Sequence, residues 1–424
     1  MTRYSSRITA ALILALAAGA AHADTTFSAG AVLNAPSRPA GVVVADFNGD
    51  QLADIAVTTD TVDKISIFRN TGAGFTGPVN VPTGAGTGPD SLLAADLDGD
   101  GDQDLIVALK GTNTVRVYFN TAGSFAAGPS TTVGAEPRGM SMGNLDGTGA
   151  PDFAVANNGA NTISTVRYVG GVLVSATFTV GEEPRGTSIA DFNGDGLGDV
   201  AATNHRDRNI TVLQNLGGGA LGNPATLNVG NPYRPEGVAT LDIDGDGDQD
   251  IAAVASDDTV VNQVAVFRNN AGTFSGPQFF ATGGIGAGAI AAADLDLDGD
   301  SDLAVNNSSS NSVAVLFNNG GLIAAPYLLA SAAFPDGLAI GDVGGSTAAD
   351  ILVSNRDSNV VRIFQNDSVP CAADFNGDGF LNGIDYDLYV GAFEAGDVSA
   401  DFDGDGFITG IDFDMYVGAF EAGC

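Results

Sequence analysis

The chain is poor in the residues that most often carry chemistry. It has no tryptophan, two histidines and two cysteines among 424 residues. His22 lies in a leader-like segment, which leaves His205 alone. A His-pair metal site is thereby excluded, and a Ser-His-Asp triad is not expected. Cations are scarce as well: 16 Lys and Arg stand against 51 Asp and Glu, a formal net charge of −35. Such a polyanion will not hold nucleic acid or an anionic membrane by electrostatics. The one long apolar run, Ile8 to Ala18, is too short to span a bilayer. Arg3 and Arg7 precede it and Ala21-His22-Ala23 follows, so residues 1–23 read as a secretory leader and Asp24 as the mature start. Cys371 and Cys424 bracket the last segment, and in an exported chain the expectation for them is a disulfide. Closing that loop would contribute about 4 kcal/mol on the chain-entropy view.

What is abundant is glycine, at 59 residues, and aspartate, spaced two apart between apolar runs. One phrase recurs every 50 residues or so. In its first copy Val42-Val43-Val44-Ala45 leads into an acidic loop, and Ile55-Ala56-Val57 leaves it. Later loops start at Asp96, Asn144, Asp191, Asp242, Asp294 and Asp342. A period of this length signals stacked or radial repeats. Within a unit the pattern is β: a short apolar strand, an alternating strand such as Val264 to Asn269, a Gly-rich turn and a fourth strand. Four strands per unit make one propeller blade. The last unit lacks its fourth strand after Asn366, and an orphan strand stands at Thr26 to Leu33, so the N-terminus is expected to close the ring.

Oxygen-bearing side chains fall at loop positions 1, 3, 5 and 9. The sets are Asp46, Asn48, Asp50, Asp54; Asp96, Asp98, Asp100, Asp104; Asp191, Asn193, Asp195, Asp199; Asp242, Asp244, Asp246, Asp250; and Asp294, Asp296, Asp298, Asp302. Clustered carboxylates repel, and a hard dication with six to eight oxygen ligands relieves the repulsion. With no nitrogen or sulfur donors, calcium is the expected occupant rather than zinc. The third loop, Asn144, Asp146, Thr148 and Asp152, carries less charge and is expected to bind weakly. The seventh has Gly344 at position 3 and is expected to lack a strong site.

These loops resemble the FG-GAP or VCBS repeat family, known from integrin α-subunit propellers, over residues 24 to 368. The resemblance implies a seven-bladed β-propeller with calcium held in hairpin loops on one face. It implies no single activity, since the family serves adhesion, carbohydrate binding and occasional catalysis.

Beyond Pro370 the spacing changes. Asp374, Asn376, Asp378, Asn382 and Asp385 stand at positions 1, 3, 5, 9 and 12 of one loop, and Asp401, Asp403, Asp405, Thr409 and Asp412 repeat the set. That is the EF-hand arrangement, and each loop precedes apolar residues at helical spacing. Residues 371–424 resemble a type I dockerin, a small α-helical domain of paired EF-hand units. The resemblance implies a cohesin-like partner met through Gly383-Ile384 and Gly410-Ile411. A self-contained, calcium-stabilised tail is the other reading of the same segment.

The fold expected is therefore mainly β, a propeller plus a small helical pair. The expected function is a secreted calcium-binding protein, a non-catalytic extracellular binding or adhesion module for a protein or glycan, with an attachment unit. The alternative is a dockerin-borne polysaccharide-degrading enzyme (glycoside hydrolase or lyase). Glu136, Glu183 and Glu236 sit in recurring Pro-containing turns, which favours a structural part for them over catalysis, and His205 is expected on a solvated turn.

Overall fold

The structure is a computed structural model that describes residues 27–257, 260–344, 348–368, 373–376, 383–403 and 406–422. The segment expected to be a leader, residues 1–23, and Cys371, Cys424, Asp378, Asn382 and Asp405 lie outside the described residues.

Seven four-stranded antiparallel sheets form the blades of a propeller. Each blade runs from an innermost strand A to an outermost strand D. In blade 1 these are Pro39–Ala45, Asp54–Thr59, Lys64–Asn70 and Phe75–Pro82. The A strands of blades 2 to 7 are Pro89–Ala95, Pro137–Gly143, Pro184–Ala190, Arg234–Leu241, Ala287–Ala293 and Pro335–Gly341. Of the seven A strands, five open on proline and one carries it second, a residue that cannot donate to a ladder and is tolerated at strand starts. Every A strand pairs with its B strand across a register shift just after that position.

Burial grades along the blade. Strand B is buried along its whole length in every blade, as in Asp104–Leu109 and Asp302–Asn307. Strand D is mostly exposed, as in Phe75–Pro82. The core lies between blades: Ile65, Ile67 and Ala56 of blade 1 pack on Leu105, Val107 and Tyr118 of blade 2. Each such Ile, Val or Leu contributes about 1.5–3 kcal/mol, so the ring is held by its seams rather than within its sheets.

The ring closes as the sequence indicates. Phe27–Asn34 forms the outer strand of blade 7, pairing antiparallel with Val360–Asn366 from Phe27↔Asn366 to Asn34↔Val360. Glycines sit where neighbouring A strands touch. A Cβ on Gly337 would stand 2.1 Å from the Ala40 carbonyl oxygen, so blade 7 meets blade 1 only without a side chain there. Strand B side chains stitch the same seams: Thr58 Oγ1 donates to the Asp90 carbonyl (2.6 Å) and Thr203 Oγ1 to that of Glu236 (2.6 Å).

The C-terminal segment contributes two helices, α1 (Gly383–Ala395) and α2 (Gly410–Ala422). Tyr389 of α1 and Tyr416 of α2 stack at 3.7 Å with their planes 5° apart. Tyr389 donates to the Ala400 carbonyl (3.1 Å) and Tyr416 to that of Ala373 (3.0 Å). Each helix thus anchors the residue just before the other unit's loop, a crossed arrangement that follows from the duplicated sequence. Among the described residues no helix is long and apolar enough to cross a membrane.

Candidate metal centre

The acidic loops join strands A and B, so all seven open on one face of the propeller. Each loop is built on its own aspartates. Asp46 accepts from the backbone N–H of Gly49 (2.7 Å) and Gln51 (2.8 Å), and Asp50 accepts from Leu52 (2.9 Å). Asp242 does the same with Gly245 and Gly247, both at 2.8 Å. Position 4 lies in the left-handed region, which glycine occupies in five loops; in the sixth Leu297 takes it at φ 64°. A non-glycine residue there costs roughly 1–2 kcal/mol, so the turn in loop 6 is held against local preference.

Three propeller loops draw three carboxylates together. One oxygen from each residue lies within 4.8 Å of the others in Asp96, Asp98 and Asp104, in Asp242, Asp244 and Asp246, and in Asp294, Asp296 and Asp302. Asp401, Asp403 and Asp412 converge in the same way ahead of α2. Loops 1 and 4 place Asn48 and Asn193 at position 3, and among the described residues they form no such acidic triple. In loop 3 Asp146 is already satisfied by Thr148 Oγ1 (2.6 Å) and Arg167 (3.4 Å), which hold its carboxyl below the usual range. In loop 5 Asp244 pairs with Arg268. Loops 2 and 6 carry no such arginine at that strand position, where Phe119 and Phe317 stand.

Loop 6 is the most deeply set. Asp296 and Asp302 are fully buried and Asp298 nearly so. Burial, with the neighbouring acids adding to it, pushes the Asp302 carboxyl up to about 9 and raises Asp296 and Asp298. Three acids so placed repel one another when ionised, and a bound cation would relieve that repulsion. Oxygen-only donors at this density fit a hard dication such as calcium.

Position 9 does more than the sequence indicated. Asp54, Asp104, Asp199, Asp250, Asp302 and Asp350 are each buried at the start of strand B. One oxygen accepts from the backbone N–H at loop position 2, as with Asp104 and Leu97 (3.1 Å). The other accepts from an asparagine N–H at the end of strand C, as with Asn120 (2.8 Å). That asparagine then donates its amide to the preceding blade: Asn120 to Phe47 O (2.8 Å), Asn215 to Leu145 O (2.7 Å), Asn269 to Phe192 O (2.8 Å), Asn318 to Ile243 O (3.0 Å) and Asn366 to Leu295 O (2.7 Å). Asn70 reaches Val343 O (2.9 Å) across the ring closure. The Asp–Asn pair is a latch that ties each loop to the next blade. Blade 3 departs from the pattern: Tyr168 stands in place of the asparagine and meets Phe119 of blade 2 edge-on at 6.0 Å. The recurring strand end in asparagine was the sequence signal for this latch.

In the C-terminal loops Asp385 and Asp412, at position 12, are fully buried. Asp412 accepts from Phe402 N (3.0 Å), Asp403 N (3.2 Å) and Thr409 N (2.7 Å), which draws its carboxyl down. Asp385 accepts from Asn376 N (3.3 Å), and Asp374 lies partly buried at the start of its loop.

His205 is not on a solvated turn. It stands on the turn that follows strand B of blade 4 but is buried there, its Nδ1 3.3 Å from Glu183 and its Nε2 3.1 Å from Glu236. Glu236 is also held bidentate by Arg185 Nη1, at 2.8 Å to each oxygen. Glu183, 22 residues away, comes beside His205 through the A–B pairing of blade 4, and Glu236, 31 residues away, through the packing of blade 5 on blade 4.

No curated protein matches the chain. Among solved structures, a chain from the crystal structure of BBS1N in complex with ARL6DN, soaked with lead, aligns at a TM-score of 0.59 with 14% identity, covering 80% of this chain and 96% of that one. A functionally unknown protein from Desulfotomaculum acetoxidans DSM 771 aligns at 0.50 with 15% identity, covering 70% and 90%. At such identities the likeness is one of fold. The model of the FG-GAP-like repeat matches residues 46–107, 96–155, 191–253 and 244–305, just over half of the chain and each time across an acidic loop. With those matches lying on the loops and strands of a seven-bladed ring, the chain belongs to the FG-GAP-like repeat family.

Proposed function

We propose that this is a secreted calcium-binding protein whose propeller is a non-catalytic binding or adhesion module and whose C-terminal pair of loop-helix units is a dockerin-like attachment unit. The observation that carries the reading is the convergence of three carboxylate oxygens within 4.8 Å in loops 2, 5 and 6 and again before α2. Such groups are unfavourable bare and favourable around a dication. Held by Asp96, Asp98 and Asp104, or by Asp294, Asp296 and Asp302, calcium would neutralise the loop and fix the turn between strands A and B. Asp401, Asp403 and Asp412 would do the same for the turn into α2. Its bound charge would also support the latch, because the position 9 aspartate joins both.

The attachment reading is supported by two duplicated exposed apolar pairs, Ile384 with Leu388 on α1 and Ile411 with Met415 on α2. A cohesin-like protein would meet them. The non-catalytic reading is supported by Glu236, which is committed to Arg185 and His205 and so is not poised as a free acid or base.

Native mass spectrometry of the mature chain purified in calcium tests the reading. Several bound calcium ions are expected. Chelation should lower the melting temperature, because an ion that binds only the folded state stabilises it, by about 2.7 kcal/mol per site at a hundredfold excess over Kd. A folded, metal-free chain with an unchanged melt would overturn it.

A further inference from the structure

Away from the acidic loops, a set of charged side chains surrounds the opposite end of the central channel. There a cavity of about 460 Å³ is lined by the A strands. Its charged lining is Asp90, Arg138, Arg185, Glu236, Asp336 and Arg356. In a chain with a net charge of −35 this set sums to zero.

Four of the six are committed to each other or to neighbours. Arg185 holds Glu236, and Arg356 pairs with Asp60 (3.2 Å) and Asp336 (3.7 Å). The other two are not. Among the described residues the side chains of Asp90 and Arg138 make no hydrogen bond and no ion pair, although they stand at equivalent positions on neighbouring A strands and both line the cavity. Burial raises the Asp90 carboxyl above its usual range. Arg138, Lys110 and Arg356 oppose that rise at longer range, and Asp60 adds to it. Lys110 occupies in blade 2 the place that His205 holds in blade 4. His205 reaches Glu236 of the following blade, so the same register sets Lys110 towards Arg138.

The mouth therefore offers one uncommitted cation, Arg138, with Lys110 outside the lining, and one uncommitted acid, Asp90, while Asp60 is already paired with Arg356. A lone anion would answer Arg138 and leave Asp90 repelled, and a lone cation would do the reverse. The cavity lining contains no aromatic ring on which a sugar face could stack. Its volume falls within the range of small-molecule sites.

We propose that this mouth binds a small zwitterion bearing one carboxylate and one ammonium group, the carboxylate on the Arg138 guanidinium with Lys110 in support and the ammonium on Asp90. The site is independent of the metal loops, which open on the other face.

The test is isothermal titration of the full chain in calcium. The probes are glycine, β-alanine, γ-aminobutyrate and ε-aminohexanoate, with acetate and ethylamine as single-charge controls. At least one zwitterion should saturate at millimolar concentration and bind about tenfold more tightly than either control. The chain length of the best probe reports the spacing of the two charges. Asp90→Asn and Arg138→Gln should each weaken that probe about tenfold, with melting curves unchanged, while Arg138→Lys recovers part of the loss. The proposal is overturned by no binding from any probe, by acetate or ethylamine matching the best zwitterion, or by variants that melt normally and bind as before.

Discussion

At the scale of single residues, the decisive feature is that one aspartate per repeat serves two ends. Asp104 closes its loop through Leu97 N–H and holds Asn120, which crosses to Phe47 of blade 1. Asn120→Ala would leave the Phe47 and Gln103 carbonyls without a donor in a buried seam, at a cost of about 1–3 kcal/mol. Urea unfolding in saturating calcium measures it, and a loss well below that range would show the latch to be incidental. Titration offers a second residue-level prediction away from the loops. Burial lifts the Asp336 carboxyl to about 6, against the opposing pull of Arg356. A carboxyl raised in the folded state stabilises fully below its unfolded value of 3.8 and loses that contribution as pH rises through about 6. Because Asp336 is partly exposed, screening reduces the effect to about 1 kcal/mol. Asp336→Asn should therefore flatten stability against pH between those values, seen as a difference between the two proteins in urea unfolding at a series of pH values.

At the scale of elements, the outer strand Phe27–Asn34 is the only piece of blade 7 that comes from the other end of the described propeller. Leu33 is its buried anchor, packed with Val361 and Ile363 of blade 7 and Val42 of blade 1. Leu33→Ala should cost about 2–4 kcal/mol, more than a truncation on an exposed outer strand such as Val79→Ala in blade 1. Comparing the two by thermal melting separates ring closure from ordinary strand loss. In the helical pair, Tyr389→Phe and Tyr416→Phe each remove one hydroxyl bond from a buried carbonyl, about 1 kcal/mol apiece. This closure strand was legible in the sequence because the last repeat is short by one strand. The A–B loops were legible because Asp-x-Asp spacing marks them. The charged mouth was not: Glu136-Pro137-Arg138-Gly139 and Arg234-Pro235-Glu236-Gly237 read as recurrent turns. What places Arg138, Arg185 and Glu236 around one cavity is the radial symmetry, which no local pattern encodes. The tyrosine stack was equally hidden, although the duplicated helices that make it were plain.

At the scale of the whole molecule, charge is sorted by face. The loops that join strands A and B collect most of the aspartates, while Arg38, Lys110, Arg138, Arg185, Arg206 and Arg356 gather at the other end of the channel. The excess negative charge is thus concentrated on one side of a rigid ring, and the blades cannot move apart to relieve it. Bare, this face repels itself across neighbouring loops; if calcium binds as proposed, each occupied loop would gain two positive charges. The two states should respond to salt in different ways. Screening acts over a Debye length of about 10 Å at 0.1 M, so added salt weakens repulsion between exposed charges farther apart than that. The chelated protein should therefore gain melting temperature steadily as sodium chloride is raised, since salt does part of the neutralising work. The calcium-loaded protein should change little over the same range, because its loop charges are paired directly. Replacing Asp96 and Asp98 by Asn in loop 2 should raise the melting temperature of the chelated protein and lower that of the loaded one. Differential scanning calorimetry of both proteins in both states reads the crossing. Parallel salt dependence with and without calcium would mean that the face does not work as a collective acidic surface.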